Sequence, residues 1–424
     1  MTWFAKKMQR PSSILATLAS LVRLVIPFFF LLSLTARRTE ASSVERIHDR
    51  TLRHLIMYSP LIPNAQRQHL LSPDNPLPTI RNTVNISMLS EFPLLLSGQI
   101  KLQVPVFTVA GACEDILLLE KLRTGTYDVE NLHVIDEATT RCLDIGGIKL
   151  RLLGLGGAFV PHKMFDNGEG SATIAGGNGT IWTTALQIGE LVDTAQRVFD
   201  PTETRLLITH ASPGREGVIA ALALVLKADL TISAGLHFRY AASWNEFSVQ
   251  GDYDGFKSKL RSGKDTFYRV WDSVKSQVDA VIDEHQRTLL NKALSVVDRV
   301  PTMLGHSAPG RGPPGTEESS WKNCWNWNLC DAAYGSLILD IKEGRVSAEL
   351  KSQGVLLYPQ CRPSRLFITP ARLQLLISAF CHTNYSAYTD VHQTTLAATN
   401  CNVKHTYQGA NTSSCCGEGN ATGA

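Results

Sequence analysis

The chain predicts an α/β fold, and three stretches carry that prediction. Residues 204–240 read strand, loop, helix, strand, loop: Arg205–Thr209 is a short apolar run ending on His210, and Ala211-Ser212-Pro213-Gly214 breaks any regular element. Val218–Leu226 is then almost wholly apolar, long enough for a buried helix, and Leu230–Ser233 gives a second buried strand. Two strands joined by a helix over about thirty residues make a βαβ unit whose strands are parallel neighbours. Upstream, Val104–Val109, Leu132–Ile135 and Ile148–Leu153 read as further strands around a helix over Ile116–Leu122, which Asp115 can cap and Gly125 ends. Downstream, Leu337–Ile341 and Arg345–Leu350 form a hairpin about Glu343-Gly344, a good two-residue turn.

Taken in order, the chain opens on a hydrophobic segment. Leu24–Leu34 is apolar apart from Ser33, and Ile14–Val22 extends it across Arg23. A central arginine costs roughly 2.5–3.5 kcal/mol on insertion, so a single span is strained. The same residues read as a signal peptide, with a basic stretch at 6–10 and an apolar stretch at 24–34, or as a mitochondrial presequence free of acids up to Glu40. Residues 1–40 are therefore a signal or anchor, with residues 12–35 the part that meets a membrane, or an aberrant start. The first case implies a membrane or secretory location and the second a cytoplasmic one. Residues 41–354 form the main domain. Within it, Met88–Leu96 reads as a short helix, residues 154–179 as a long glycine-rich loop, and Thr184–Phe199 as an amphipathic helix. Phe267, Val270, Trp271, Val274, Val278 and Val281 keep helical spacing, so Phe256–Val300 is expected to be a helical insertion packed on the sheet. With the Pro- and Gly-rich loop that follows, the insertion spans residues 256–320. Residues 355–424, rich in Thr, Asn, Ser and Cys, are expected to be a poorly ordered tail.

Composition narrows the function classes. The net charge is +3, but residues 1–40 hold six basic residues against Glu40 alone, which leaves the remainder at −2. Nothing in that balance calls for nucleic acid as a partner. The nine cysteines are odd in number and irregular in spacing, and five of them crowd into the last 64 residues. Neither a disulfide framework nor zinc-ligand spacing results. Gly154-Leu155-Gly156-Gly157-Ala158 follows a strand, but Phe159 stands where the dinucleotide fingerprint needs Gly or Ala. No P-loop lysine follows a glycine loop, and no nucleophile elbow surrounds Ser212.

A set of residues at strand ends remains: Gly111–Asp115, His210 and Gly235–His237. In parallel sheets ligands meet residues just past the carboxyl ends of strands. The order strand-Gly-x-x-acid-Asp, then Thr-His-x-x-Pro, then Gly-x-His, then a closing hairpin resembles the calcineurin-like metallophosphoesterases. LHVIDEATTR, DNGEGSATIAGG, ITHASPGREG and TISAGLHFRY resemble an uncharacterised fungal branch of that superfamily, and the likeness spans about Arg46–Gly354. The resemblance implies a two-sheet sandwich flanked by helices, and hydrolysis of a phosphate ester by two divalent cations (Mn, Fe or Zn). It also implies places for particular residues. His210 matches the lone metal-ligating histidine, His237 the last histidine motif, and Gly111, Cys113, Glu114 and Asp115 the motif that carries an asparagine ligand and a proton-donating histidine. In that third motif Ala112 replaces the asparagine and Cys113 the histidine. The first two motifs are missing before residue 100; Gly251-Asp252-Tyr253-Asp254 and Asp390-Val391-His392 come in the wrong order and are decoys. Arg215 and Arg239 could meet a phosphate in the same crevice. Two functions are therefore expected in competition: a metal-dependent phosphoesterase, impaired in this chain, or a catalytically silent protein that binds a phosphorylated ligand or a partner on the same scaffold.

Overall fold

Short helices come first among the described residues of the computed structural model. The structure describes residues 44, 47–59, 61–170, 174–234, 241–246, 253–299, 324–330, 335–342, 344–352, 373–375 and 404–406. Helices α1 (Asp49–Tyr58), α2 (Asn64–Leu70) and α3 (Leu77–Thr83) are separated by prolines and bury Leu52, Leu55, Ile56 and Ile80 together, while α4 (Phe92–Leu96) packs Phe92 and Leu95 on Leu118 and Leu119. The single helix expected over 88–96 is divided, because Asn85 caps a 3₁₀ turn over Ile86–Met88 and the Ser90 hydroxyl then takes the Phe92 N–H at 3.0 Å.

Strand β1 (Val106–Thr108) pairs in parallel with β2 (Leu132–Val134), with α5 (Ile116–Arg123) as their crossover. Then come β3 (Arg141–Ile145) and β4 (Ile148–Leu155), the small hairpin β5 (Ala175–Gly177) and β6 (Thr180–Trp182), and α6 (Ala185–Arg197). Thr184 and Gln187 start α6 with a reciprocal capping box, which satisfies two backbone donors that a helix start leaves open. The unit β7 (Thr204–Thr209), α7 (Gly217–Val225), β8 (Leu230–Ala234) is parallel, as its sequence predicts. Strand β9 (Ala242–Trp244), helices α8 (Tyr253–Val281) and α9 (Glu284–Asp298), strand β10 (Trp325–Leu329) and the hairpin β11 (Gly335–Lys342), β12 (Arg345–Ser352) follow. Gly344 takes the left-handed φ of +74° that a two-residue turn requires. Of residues 355–424 the structure describes only β13 (Leu373–Leu375) and β14 (Lys404–Thr406), which flank the hairpin.

The main sheet has the order β3-β4-β7-β8-β10-β9, with β4, β7, β8 and β10 parallel and the two edge strands antiparallel. Alternation along the strands divides the core in two. Leu150, Leu152, Leu206, Ile208, Leu230, Ile232 and Trp327 face the hairpin β11–β12 and the pair β1–β2. Leu153, Leu155 and Leu207 face α6 and α7. The molecule is a mixed α/β structure in which one face of the sheet is covered by strands and the other by helices. Helices α8 and α9 do not lie on the sheet, as the sequence suggests, but form an outer layer on α6 and α7. Their apolar stripe meets the outward side of two helices that already cover the strands, and glycines at the crossings permit close approach. No helix among the described residues is long and apolar enough to cross a membrane; residues 1–40 lie outside them.

At the amino ends of β4 and β7, Arg151 donates from Nε and Nη2 to the two oxygens of Glu203, at 2.8 and 2.6 Å, and the Cys142 thiol adds a contact at 3.3 Å. This paired hydrogen bond holds the Glu203 carboxyl below the ordinary glutamate value. A depressed folded value means the stabilisation is complete above the ordinary value, about 4.5, and is lost as pH falls through the lower folded one. Urea midpoints measured from pH 7 to pH 3 should fall below that point in the native chain. Glu203→Gln should lose about 1–3 kcal/mol at neutral pH and show a flatter acid limb.

Candidate functional site

Carboxyl ends of β1, β4 and β7 lie side by side, and glycines hold the loops beyond them together. A Cβ on Gly156 would stand 2.8 Å from the Ala110 Cβ and 2.9 Å from its carbonyl oxygen, so only glycine lets the β1 and β4 loops touch. The Gly157 N–H then donates to the Ala110 carbonyl at 3.0 Å, the Ile181 N–H to Ala112 at 2.8 Å, and the Ala158 N–H to Ile181 at 3.0 Å. On the other side the His210 N–H donates to the Leu155 carbonyl at 3.2 Å. The segment 110–113, the turn 156–158 and the start of the β7–α7 loop thus form one hydrogen-bonded rim.

The rim gathers some of the residues expected there. His210 follows β7 directly and its side chain is buried, 5 % exposed. Gly111 and Cys113 are buried and Glu114 is half-buried. Asp115 is engaged elsewhere: its carboxylate accepts the Leu117 N–H at 2.8 Å and caps α5. Arg215 is exposed, in the turn where its own N–H donates to the Ser212 carbonyl at 3.0 Å. Gly235, His237 and Arg239 lie outside the described residues, as do Gly251, Asp252 and the triplet Asp390–His392.

The chemistry of the rim is poor in donors for a cation. Ala112 is fully buried, packed with Cys113 and Ala158, so a methyl group fills the place at which the resemblance expects an asparagine ligand. No three His, Cys, Asp or Glu side chains converge among the described residues. The described residues do not fit a two-metal centre, which needs imidazole and carboxylate donors from several strand ends.

Polar groups that the sequence did not announce lie beside this rim. Thr209, Ser233 and Asn328 stand in register across β7, β8 and β10, on the helix-covered face that also carries Leu153, Leu155 and Leu207. One step back, the Thr231 hydroxyl donates to Asn326 Oδ1 at 2.6 Å, and Asn326 Nδ2 donates to Glu246 Oε2 at 3.2 Å. Glu246 also accepts from the Trp244 indole N–H at 3.0 Å and pairs with Lys259 at 3.3 Å. The one available signal was alternation: Thr231 and Ser233 in β8, and Asn326 and Asn328 in β10, put polar side chains on the face that helices cover. At the end of β2, Arg123 pairs with Asp136 at 2.9 Å and with buried Glu137 at 2.6 Å. Burial pushes the Glu137 carboxyl up more than Arg123 pulls it down. Burial likewise raises Glu216, which stands at the start of α7.

Residues 240–359 match a family described as "Protein of unknown function (DUF2433)". The matched stretch runs from β9 through α8, α9 and β10 to the hairpin, and so includes Trp244, Glu246, Lys259 and Asn326. No curated protein and no solved structure matches the chain.

Proposed function

We propose that this chain is a protein of the calcineurin-like metallophosphoesterase type in which the strand-end crevice binds a phosphate ester or a phosphorylated partner, with hydrolysis impaired. Support for the lineage comes from the motif order described above, together with a buried histidine directly after β7. The observation that carries the impairment is Ala112: it is fully enclosed and offers no donor side chain where a ligand is expected. Hydrolysis is the second reading, favoured by His210, whose imidazole is a donor of the kind that Mn, Fe and Zn take.

The experiment uses the full chain. Bound Mn, Fe and Zn are measured by elemental analysis, and an aryl phosphate is offered with and without added Mn²⁺. The expected result is substoichiometric metal and no turnover, together with saturable binding of inorganic phosphate that His210→Ala weakens. Metal-dependent turnover abolished by His210→Ala would establish the hydrolase instead. Absence of any phosphate binding would remove both.

A further inference from the structure

The turn that follows His210 is gripped from outside the βαβ unit. Lys259, in the second turn of α8, donates through Nζ to the Pro213 carbonyl at 3.3 Å. Gly214 lies against the Trp244 indole, where a Cβ would stand 2.8 and 2.9 Å from ring carbons. Glu246 ties these two together, accepting from the Trp244 indole N–H and from Lys259 through the same oxygen, while its other oxygen is held by Asn326 of β10. Helix α8, the β9 edge and the strand β10 therefore converge on a single short turn of the core sheet.

The energetics say what such a cluster is for. The Lys259 and Glu246 side chains are only 21 % and 14 % exposed. Removing both charges from water offsets most of their attraction, so a pair of this kind adds little net stability and much geometric definition. A cavity of about 20 Å³ lies beneath the turn, lined in part by Pro213, Phe256, Cys324 and Asn326. That is room for about one enclosed water. The cluster acts on the turn through direct contacts with Pro213 and Gly214.

We infer that Lys259 and Glu246 are positioning residues for the strand-end crevice: acting through Pro213 and Gly214, they set where His210 stands. The role of the crevice rests on the reading above, but the clamp itself does not depend on it. It also gives the matched stretch 240–359 a physical task, holding the turn of a neighbouring βαβ unit.

The test follows the His210 ring by NMR in the full chain, with its Cε1–Hε1 signal assigned by His210→Asn. Without ligand, Lys259→Met and Glu246→Gln should both displace that signal, Lys259→Arg should restore most of it, and the distant His69 signal should stay in place. Glu246→Gln keeps the acceptor for Trp244 and the bulk of the side chain, so it remains informative if Lys259→Met folds poorly. An unmoved His210 signal in both variants overturns the clamp. Inorganic phosphate is then titrated. The native signal should shift on saturation, and Lys259→Met should weaken binding about tenfold, the scale of one hydrogen bond lost from a displaced binding group. A native signal indifferent to phosphate would defeat the phosphate-binding reading and leave the clamp to be decided by the ligand-free spectra.

Discussion

Gly189→Ala is expected to destabilise the protein by about 2–4 kcal/mol, although alanine is the better helix former by about 1 kcal/mol. Gly189 sits in the middle of α6, where α9 crosses it, and a Cβ there would stand 1.9 Å from the Leu289 carbonyl oxygen and 2.6 Å from its carbon. Both are backbone atoms of a helix, so no side chain can swing aside. The two helices must separate by more than an ångström, which would loosen the packing of Ile188, Leu191 and Val192 against Leu290 and Ala293. Overpacking of this kind outweighs the gain in propensity. Urea unfolding with fluorescence detection measures the change. A variant as stable as the native chain would mean that α9 is not seated on α6 as described. Gly217→Ala should act in the same direction at the other crossing, since its Cβ would meet the Lys259 carbonyl oxygen at 2.2 Å.

The second large effect is expected at Arg205, whose guanidinium is buried at the root of β7. It donates to the Leu226 carbonyl at 2.5 Å and to the Ala195 carbonyl at 2.8 Å, closing the carboxyl ends of α7 and α6 with one cation. The Phe199 ring covers it at 4.5 Å. Burial lowers its pKa, while Glu203 and Asp229 oppose that shift. Positive charge at a helix carboxyl end is favourable, and here it serves two ends at once. Arg205→Met fills similar space but leaves both carbonyls buried without that donor, a loss of about 3–5 kcal/mol. Arg205→Lys should recover only part of it, because a single ammonium lacks the fork that reaches both helices. Thermal and urea midpoints of the three proteins, compared at neutral pH, check that order. Equal midpoints for Met and Arg would show that the two carbonyls have other partners.

Much of this fold was legible because it is written in local periodicity. The parallel unit β7–α7–β8, the capping of α5 by Asp115, the amphipathic α6 and the hairpin turn at Gly344 each follow from spacing and turn chemistry within one stretch. The placement of α8 and α9 did not. An apolar stripe states that a helix must be covered, not by what, and here the cover is other helices instead of strands. The candidate site shows the same division. Sequence order alone pointed to His210 and to the segment Gly111–Glu114 beyond β1, and both line the rim. It offered Asp115 as either ligand or cap, and the hydrogen bond to Leu117 engages it as a cap. Alternation in β10 marked Asn326 as a polar residue on a covered face, but nothing local pointed to Glu246 or Lys259, which reach Asn326 and Pro213 from 80 and 46 residues away along the chain.

By itself, then, the sequence determined the α/β class, the parallel core unit and the residue types at the strand ends, because each depends on the alternation of polar and apolar side chains over a few neighbours. Only the tertiary structure decided that β10 enters the sheet between β8 and β9, that glycines lock the outer helices to the inner ones, and that a lysine from α8 reaches the turn after His210. Those outcomes depend on distances between segments that are remote in the chain, and nothing local encodes them.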